Sequence, residues 1–232
     1  MDNQETAVIS DVKRMLEYYQ ALGFSSLPLS AIAFPGAHHG SGISKNDGLM
    51  NVRAEIGDCR RCKLSKGRKN IVFGSGNADA KLMFIGEAPG KDEDIQGLPF
   101  VGEAGALLTK LIEKMGFKRE DVYIANIIKC RPPMNRDPEE DEISSCRGFL
   151  DKQIGVIAPE FIITLGRIAL MTLMNNDKLK ITAARGNFME YKGVPVMPTF
   201  HPAYLLRNPK DKWLTWSDVQ KVMERISNTN CQ

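Results

Sequence analysis

Apolar residues along this chain follow two alternating rhythms. Lys81 to Ile85, Val122 to Ile128, Phe161 to Leu165 and Val194 to Thr199 are short, nearly continuous apolar or β-branched runs, as expected of strands covered on both faces. Among and after them the period lengthens to that of a helix. Such stretches are Glu103 to Met115, stopped by Gly116, then Pro138 to about Ile154, and Arg167 to about Met174. A last one, Asp211 to Ile226, sets Trp216, Val219, Met223 and Ile226 on one side, a stripe most simply read as core packing. Strand and helix in alternation predict an α/β fold with a mostly parallel sheet between helical layers, whose ligands bind beyond the carboxyl ends of the strands. Polar residues fall at those ends: Glu87 after the first strand, Asn126 near the end of the second, Gly166 after the third and His201 after the fourth.

Upstream the pattern changes. Residues 5 to 22 place Val8, Val12, Met15, Tyr19 and Leu22 on one helical face before Gly23. Ser25 to Gly48 is rich in Ser, Gly, Pro and Ala with little periodicity, and reads as a linker. This amino-terminal part is expected to be a peripheral extension. His38-His39 lies inside it, with no other ligand types nearby to make a metal site.

At 232 residues the chain suits one substantial domain rather than two. It has no run of eighteen apolar residues, and its first residues lack the basic start and apolar core of a secretory signal, so a cytoplasmic protein with no membrane segment is expected. In that reducing compartment its 5 cysteines are poor candidates for disulfides. Cys59 and Cys62 form a CxxC pair, Cys130 and Cys146 follow far downstream, and Cys231 reads as an ordinary free thiol. Four thiolates suit a four-iron cluster or a zinc ion equally by count, and the wide separation of the pairs favours iron–sulfur.

The net charge of +3 hides an uneven distribution. Arg53, Arg60, Arg61, Lys63, Lys66, Arg68 and Lys69 crowd around the CxxC pair, a stretch that suits a phosphate backbone or else a solvated loop. The acidic run from Asp137 to Glu142 has a local explanation: Asp137 as helix N-cap, Pro138 in the first turn, and Glu140 completing a capping box.

Four further features carry chemistry. In Gly86-Glu87-Ala88-Pro89-Gly90 the glycines permit a sharp turn and close backbone approach to a ligand, although a plain strand-to-helix turn reads the same. Phe100, behind Pro99, is either core or a platform for stacking a base. Asn126 interrupts an apolar strand, where a carboxamide must find partners, and its donor and acceptor could read a pyrimidine edge. His201 precedes Leu205, Leu206 and Arg207, apolar side chains beside a cation of the kind that enter a base stack and hold the backbone.

Taken together, CxxC at Cys59 and Cys62, GEAPG at 86 to 90, PFVG at 99 to 102, NIIKCRPP at 126 to 133, Cys146 and HPAYLLRNP at 201 to 209 resemble the type-4, iron–sulfur branch of the uracil-DNA glycosylase superfamily. The match runs from about Val52 to Ile226, which divides the chain into an extension, residues 1–51, and a glycosylase domain, residues 52–232. The resemblance implies a three-layer α/β/α sandwich around a central, mostly parallel four-stranded sheet, with a 4Fe-4S cluster on Cys59, Cys62, Cys130 and Cys146. It implies an enzyme, a monomer acting on uracil-containing DNA, that flips uracil out and hydrolyses its N-glycosidic bond. By the same resemblance Phe100 stacks on the base, Asn126 bonds its edge, His201 faces its O2, Glu87 and Ala88 contact it, and Glu93 helps exclude the methyl of thymine. Glu87 is also a candidate to orient the attacking water, and Leu205, Leu206 and Arg207 are candidates to touch DNA. Two other readings remain: a non-catalytic iron–sulfur DNA-binding module, which has no need of Glu87, Asn126 and His201 together, and a zinc-dependent hydrolase, weakened by only 3 histidines.

Overall fold

The computed structural model describes residues 44–229, and elements are numbered among these. The helix expected over residues 5 to 22, His38-His39 and Cys231 lie outside them. In chain order the elements are α1 (Lys45–Ile56), β1 (Ser75–Gly76), β2 (Leu82–Gly86), α2 (Lys91–Gln96), α3 (Glu103–Lys114), β3 (Tyr123–Asn126), α4 (Glu140–Ile157), β4 (Phe161–Leu165), α5 (Arg167–Met174), α6 (Ile181–Ala184), β5 (Met189–Tyr191), β6 (Val194–Thr199), α7 (Pro202–Arg207) and α8 (Lys212–Thr229).

The sheet runs β1-β3-β2-β4-β6-β5. Its four inner strands are parallel, as the apolar runs predict, and sit in register from Met83↔Tyr123 to Leu165↔Thr199. Alternate residues divide between two cores. Met83, Ile85, Ala125 and Ile162 pack with α1, α4 and α5, whereas Leu82, Phe84, Ile124 and Ile163 pack with α3 and α8. This is the expected α/β/α sandwich, and period-two alternation inside fully buried strands gives each face its own apolar set.

Two short antiparallel strands extend the sheet beyond expectation. β1 pairs with β3, and Gly76 at φ 129° lies where a Cβ would strike the Val122 carbonyl. β5 pairs with β6 across the two-residue turn Lys192-Gly193, both at positive φ, which is the geometry that right-handed strand twist favours in a tight hairpin.

Two helix starts differ from the sequence reading. Lys45 to Gly48 are not linker but the first turn of α1: Ser44 Oγ accepts from the Asp47 amide at 3.1 Å, and Gly48 lets the helix lie against Val156 of α4. α4 begins at Glu140 with Glu139 as N-cap, rather than at Pro138 behind Asp137. The buried Glu142 carboxylate sets that start, because it accepts from the Glu139 amide at 2.9 Å and from both Arg136 Nη atoms at 2.9 and 2.7 Å. Asp137 instead meets Arg167 at 2.7 Å. Among the described residues no helix is long and apolar enough to cross a membrane.

Candidate active site and cysteine pocket

A cleft of about 660 Å³ opens at the carboxyl edge of the sheet, lined by Glu87, Ala88, Glu93, Phe100, Asn126, His201 and Arg207 among others. The acid, carboxamide and imidazole that the sequence placed at three separate strand ends therefore share one cavity. The strands bring them there. β2 ends in Gly86, β3 pairs Asn126 beside it, and β6 ends two residues before His201.

Gly86 makes room at the cleft floor. A Cβ there would collide with Asn126 Oδ1 and, at 2.6 Å, with Phe100 Cζ. Asn126 is 1% exposed, and its Oδ1 has no hydrogen-bond partner. A buried acceptor left bare costs on the order of 1–3 kcal/mol, so this oxygen is a vacancy for a donor. The strand carrying it is held from below by Lys129, whose buried ammonium donates to the Asn126 carbonyl at 2.8 Å and to Gln153 Oε1 at 2.7 Å. Burial lowers the Lys129 pKa to about 8.

His201 is both the N-cap of α7 and part of the cleft lining. Its Nδ1 accepts from the Ala203 amide at 3.1 Å, which fixes the proton on Nε2 when the ring is neutral. Burial, with the nearby Arg207 charge, lowers its pKa to about 4, so the ring is neutral at pH 7. Gly166, at φ 91°, allows the β4 end to approach: a Cβ there would stand 2.9 Å from that of His201. The Phe100 and His201 rings lie 5.6 Å apart. Glu87 is pushed up to about 7 by burial and by the Asp137 carboxylate, against the opposing pull of Arg167.

Phe100 holds a left-handed backbone, φ 50°, that a bulky residue adopts only where its surroundings impose it. Three neighbours do so. Glu93 Oε1 accepts from the amides of Val101 and Gly102 at 2.8 and 3.0 Å, while its Oε2 accepts from Gly90 at 3.1 Å. Arg119 donates to the Pro99 carbonyl at 2.6 Å. Gly105 lies where any Cβ would strike the Phe100 carbonyl. Glu93 thus lines the cleft with its carboxylate turned to backbone amides. Arg119 was not singled out in the sequence, since nothing local marks a cation whose partner is 20 residues away.

Of the three DNA-contact candidates, Leu205 is 4% exposed and belongs to the interior beneath α7, while Leu206 at 38% and Arg207 reach the surface. The helical turn separates them: adjacent side chains on α7 point in different directions.

Cys59, Cys62, Cys130 and Cys146 line a second, smaller cavity together. All four are free thiols. Three receive donors: Cys59 Sγ from Arg61 at 3.3 Å, Cys130 Sγ from Arg68 at 3.5 Å, and Cys146 Sγ from the Lys129 amide at 3.3 Å. Burial pushes Cys130 up to about 11 and also raises Cys146. Among the described residues, no group of three or more His, Cys, Asp or Glu side chains is placed to hold a single metal ion. The surrounding cations are largely engaged locally: Lys63 with Glu139 and Asp141, Arg60 with Asp58, Arg68 with Asp58, and Arg61 against the Phe149 ring at 4.9 Å. Lys66 and Lys69 are exposed.

A family model described as the uracil DNA glycosylase superfamily matches residues 73–222. The type-4 uracil-DNA glycosylase of Saccharolobus solfataricus is 50% identical to the chain over 190 residues, covering 78% of this chain and 88% of that protein. The type-4 uracil-DNA glycosylase of Thermotoga maritima is 45% identical over 182 residues, covering 77% and 95%.

Proposed function

The chain belongs to the type-4 branch of the uracil-DNA glycosylase superfamily, and on that premise we propose that its cleft receives uracil flipped from DNA and cleaves the bond to the deoxyribose. The enzyme is a DNA-repair glycosylase, a hydrolase of N-glycosidic bonds. One observation carries the assignment of the cleft: the buried, unpartnered Oδ1 of Asn126 beside an aromatic ring and a neutral imidazole. Uracil supplies what that oxygen lacks, an N3–H, and cytosine does not, since its N3 is an acceptor. A site built on a hydrogen bond rejects the analogue lacking it far more strongly than an apolar pocket rejects a change of size.

Bond cleavage builds negative charge on the departing base and positive charge on the sugar. The neutral His201, with Nδ1 occupied by the Ala203 amide, presents Nε2–H as a donor toward the uracil O2. A neutral donor stabilises the anion without first losing a proton to solvent. Glu87, ionised above pH about 7, orients the water that adds to the sugar, with Ala88 next to it against the base. Phe100 stacks on the ring, and Glu93 enforces its position through three backbone amides; on this reading Glu93 excludes thymine by fixing the aromatic wall. Arg207 and Leu206 meet the DNA strand at the cleft mouth.

The cysteine pocket fits a 4Fe-4S cluster better than a zinc ion. Four sulfurs share one cavity, yet among the described residues no three ligands converge on a single ion, and N–H donors reach three of the sulfurs, where they would tune a cluster's charge. Cys59, Cys62, Cys130 and Cys146 would hold it, and its contribution there would be a rigid cross-link tying the loop after α1 to β3 and α4. A brown protein with broad visible absorption supports that cofactor; a colourless, zinc-containing protein overturns it. The activity is tested by incubating the chain with a uracil-containing oligonucleotide. Free uracil and an alkali-labile site are expected, and binding without release would favour the non-catalytic module instead.

A further inference from the structure

Among the described residues Met134 is 93% exposed, far beyond the next most exposed large apolar residues, Met50 at 68% and Trp213 at 67%. Its backbone is equally unusual. Met134 and Asn135 stand consecutively at φ 55° and 54°, a left-handed pair that glycine would adopt without strain. The turn that imposes this is well held: Asn135 and Arg136 amides donate to the Pro132 and Pro133 carbonyls at 3.1 Å each, and Arg131 Nε donates to Asn135 Oδ1 at 2.8 Å. A strained turn, tied down on both sides, thus ends in an apolar side chain with nothing to pack against. Folding alone gives no reason for it.

Its location does. Pro132, Asn135 and Arg136, on either side of Met134, line the same cleft as Asn126 and His201. Tyr204 and Arg207 line that cleft from α7, the helix that also carries Leu206. Two segments that line the cleft therefore also carry an exposed apolar group next to an arginine in sequence: Met134, between Arg131 and Arg136, and Leu206, before Arg207. Unstacking a duplex nucleotide calls for an apolar group inserted between bases with cations to hold the backbone, and a rigidly presented one loses little freedom on insertion.

We propose that Met134 is a second wedge, entering the base stack of duplex DNA from the Pro132–Arg136 segment of the cleft wall and holding the nucleotide's former place open while uracil occupies the cleft. This rests on the glycosylase reading and adds to it a residue that lowers the cost of extrusion without touching the reacting atoms. Such a residue matters in proportion to the stacking it must overcome.

Met134→Gly is the natural test, because it removes the side chain and relieves the left-handed strain, so the thermal midpoint should stay level or rise. Single-turnover uracil release is measured on one sequence in two forms, as a duplex with uracil opposite adenine and as a single strand. The duplex rate is expected to fall at least tenfold and the single-strand rate by less than threefold. Met134→Leu, which keeps an apolar wedge, should recover most of the duplex rate. 2-Aminopurine placed beside the uracil should brighten on binding to the unaltered protein and much less on binding to Met134→Gly. An unchanged duplex rate, or equal losses on both substrates, overturns the proposal. If the unaltered protein releases uracil from neither form, it is the parent reading that fails.

Discussion

The cleft and the cysteine pocket lie at two ends of one stretch of chain, Asn126 to Cys130, and treat their polar groups in opposite ways. In the pocket, sulfurs are met by Arg61, Arg68 and the Lys129 amide, and nearby Lys63 and Arg60 are matched by acids. In the cleft, Asn126 Oδ1 is left without a partner and Glu87 is held in surroundings that resist its charge. On the proposed function the pocket would keep its occupant and can be satisfied by its own neighbours. The cleft would bind and release a base and is incomplete until the substrate arrives, so its binding energy is available when charge develops. Of the cationic stretch around the CxxC pair, Arg61 and Arg68 line the pocket, while Arg60, Lys63, Lys66 and Lys69 remain exposed.

Breaking the cleft should give the largest effect on rate. His201→Ala is expected to lower single-turnover uracil release by about 100-fold, the scale for losing one preorganised donor to a developing anion. Loss of its cap bond to Ala203 should move the thermal midpoint by only a few degrees. A rate equal to the unaltered enzyme's would place the imidazole outside the chemistry.

Breaking the pocket should do the reverse. Cys130→Ser is expected to lower the midpoint by on the order of 10 °C, while the rate per folded molecule falls less than tenfold. Collapse of the rate with an unchanged midpoint would mean that the two regions act as one, and the contrast drawn above would fail.

The mildest perturbation is pH. With Glu87 near 7, its ionised fraction drops as pH is lowered, so the rate should fall about tenfold between pH 8 and pH 6, and Glu87→Gln should flatten that slope. His201 should add no inflection in this range, because its pKa lies near 4. Its signature is in stability instead. Between pH 6.5 and 4 the unfolded imidazole takes up a proton that the folded one refuses, and the folded state weakens as pH falls across that window.

The inner sheet was legible because four apolar runs can only be strands buried on both faces, and β4 and β6 have the bounds that their residues predict. β1 and β5, two and three residues long, leave too little pattern to read. α1 was hidden because its apolar stripe is only Leu49, Val52 and Ile56, set among residues of linker composition. Strand-end logic brought Glu87, Asn126 and His201 together, since a parallel sheet fixes which edge a residue reaches. It gave no access to Arg119, Gly105 or the bond from Lys129 to Gln153, whose partners are far away in sequence, nor to the inward turn of Leu205, which depends on α7's angle to its neighbours.

Gly86 has one more consequence. The space proposed for a nucleobase is bounded there by an amide and an aromatic ring that a single methyl group would displace, so the cleft's capacity is owed to one missing carbon. The segments proposed to meet the double helix are other parts of the cleft wall, Pro132 to Arg136 and Ala203 to Arg207. On that proposal, gripping the duplex and accommodating a damaged base are assigned to different stretches of chain and are free to vary apart.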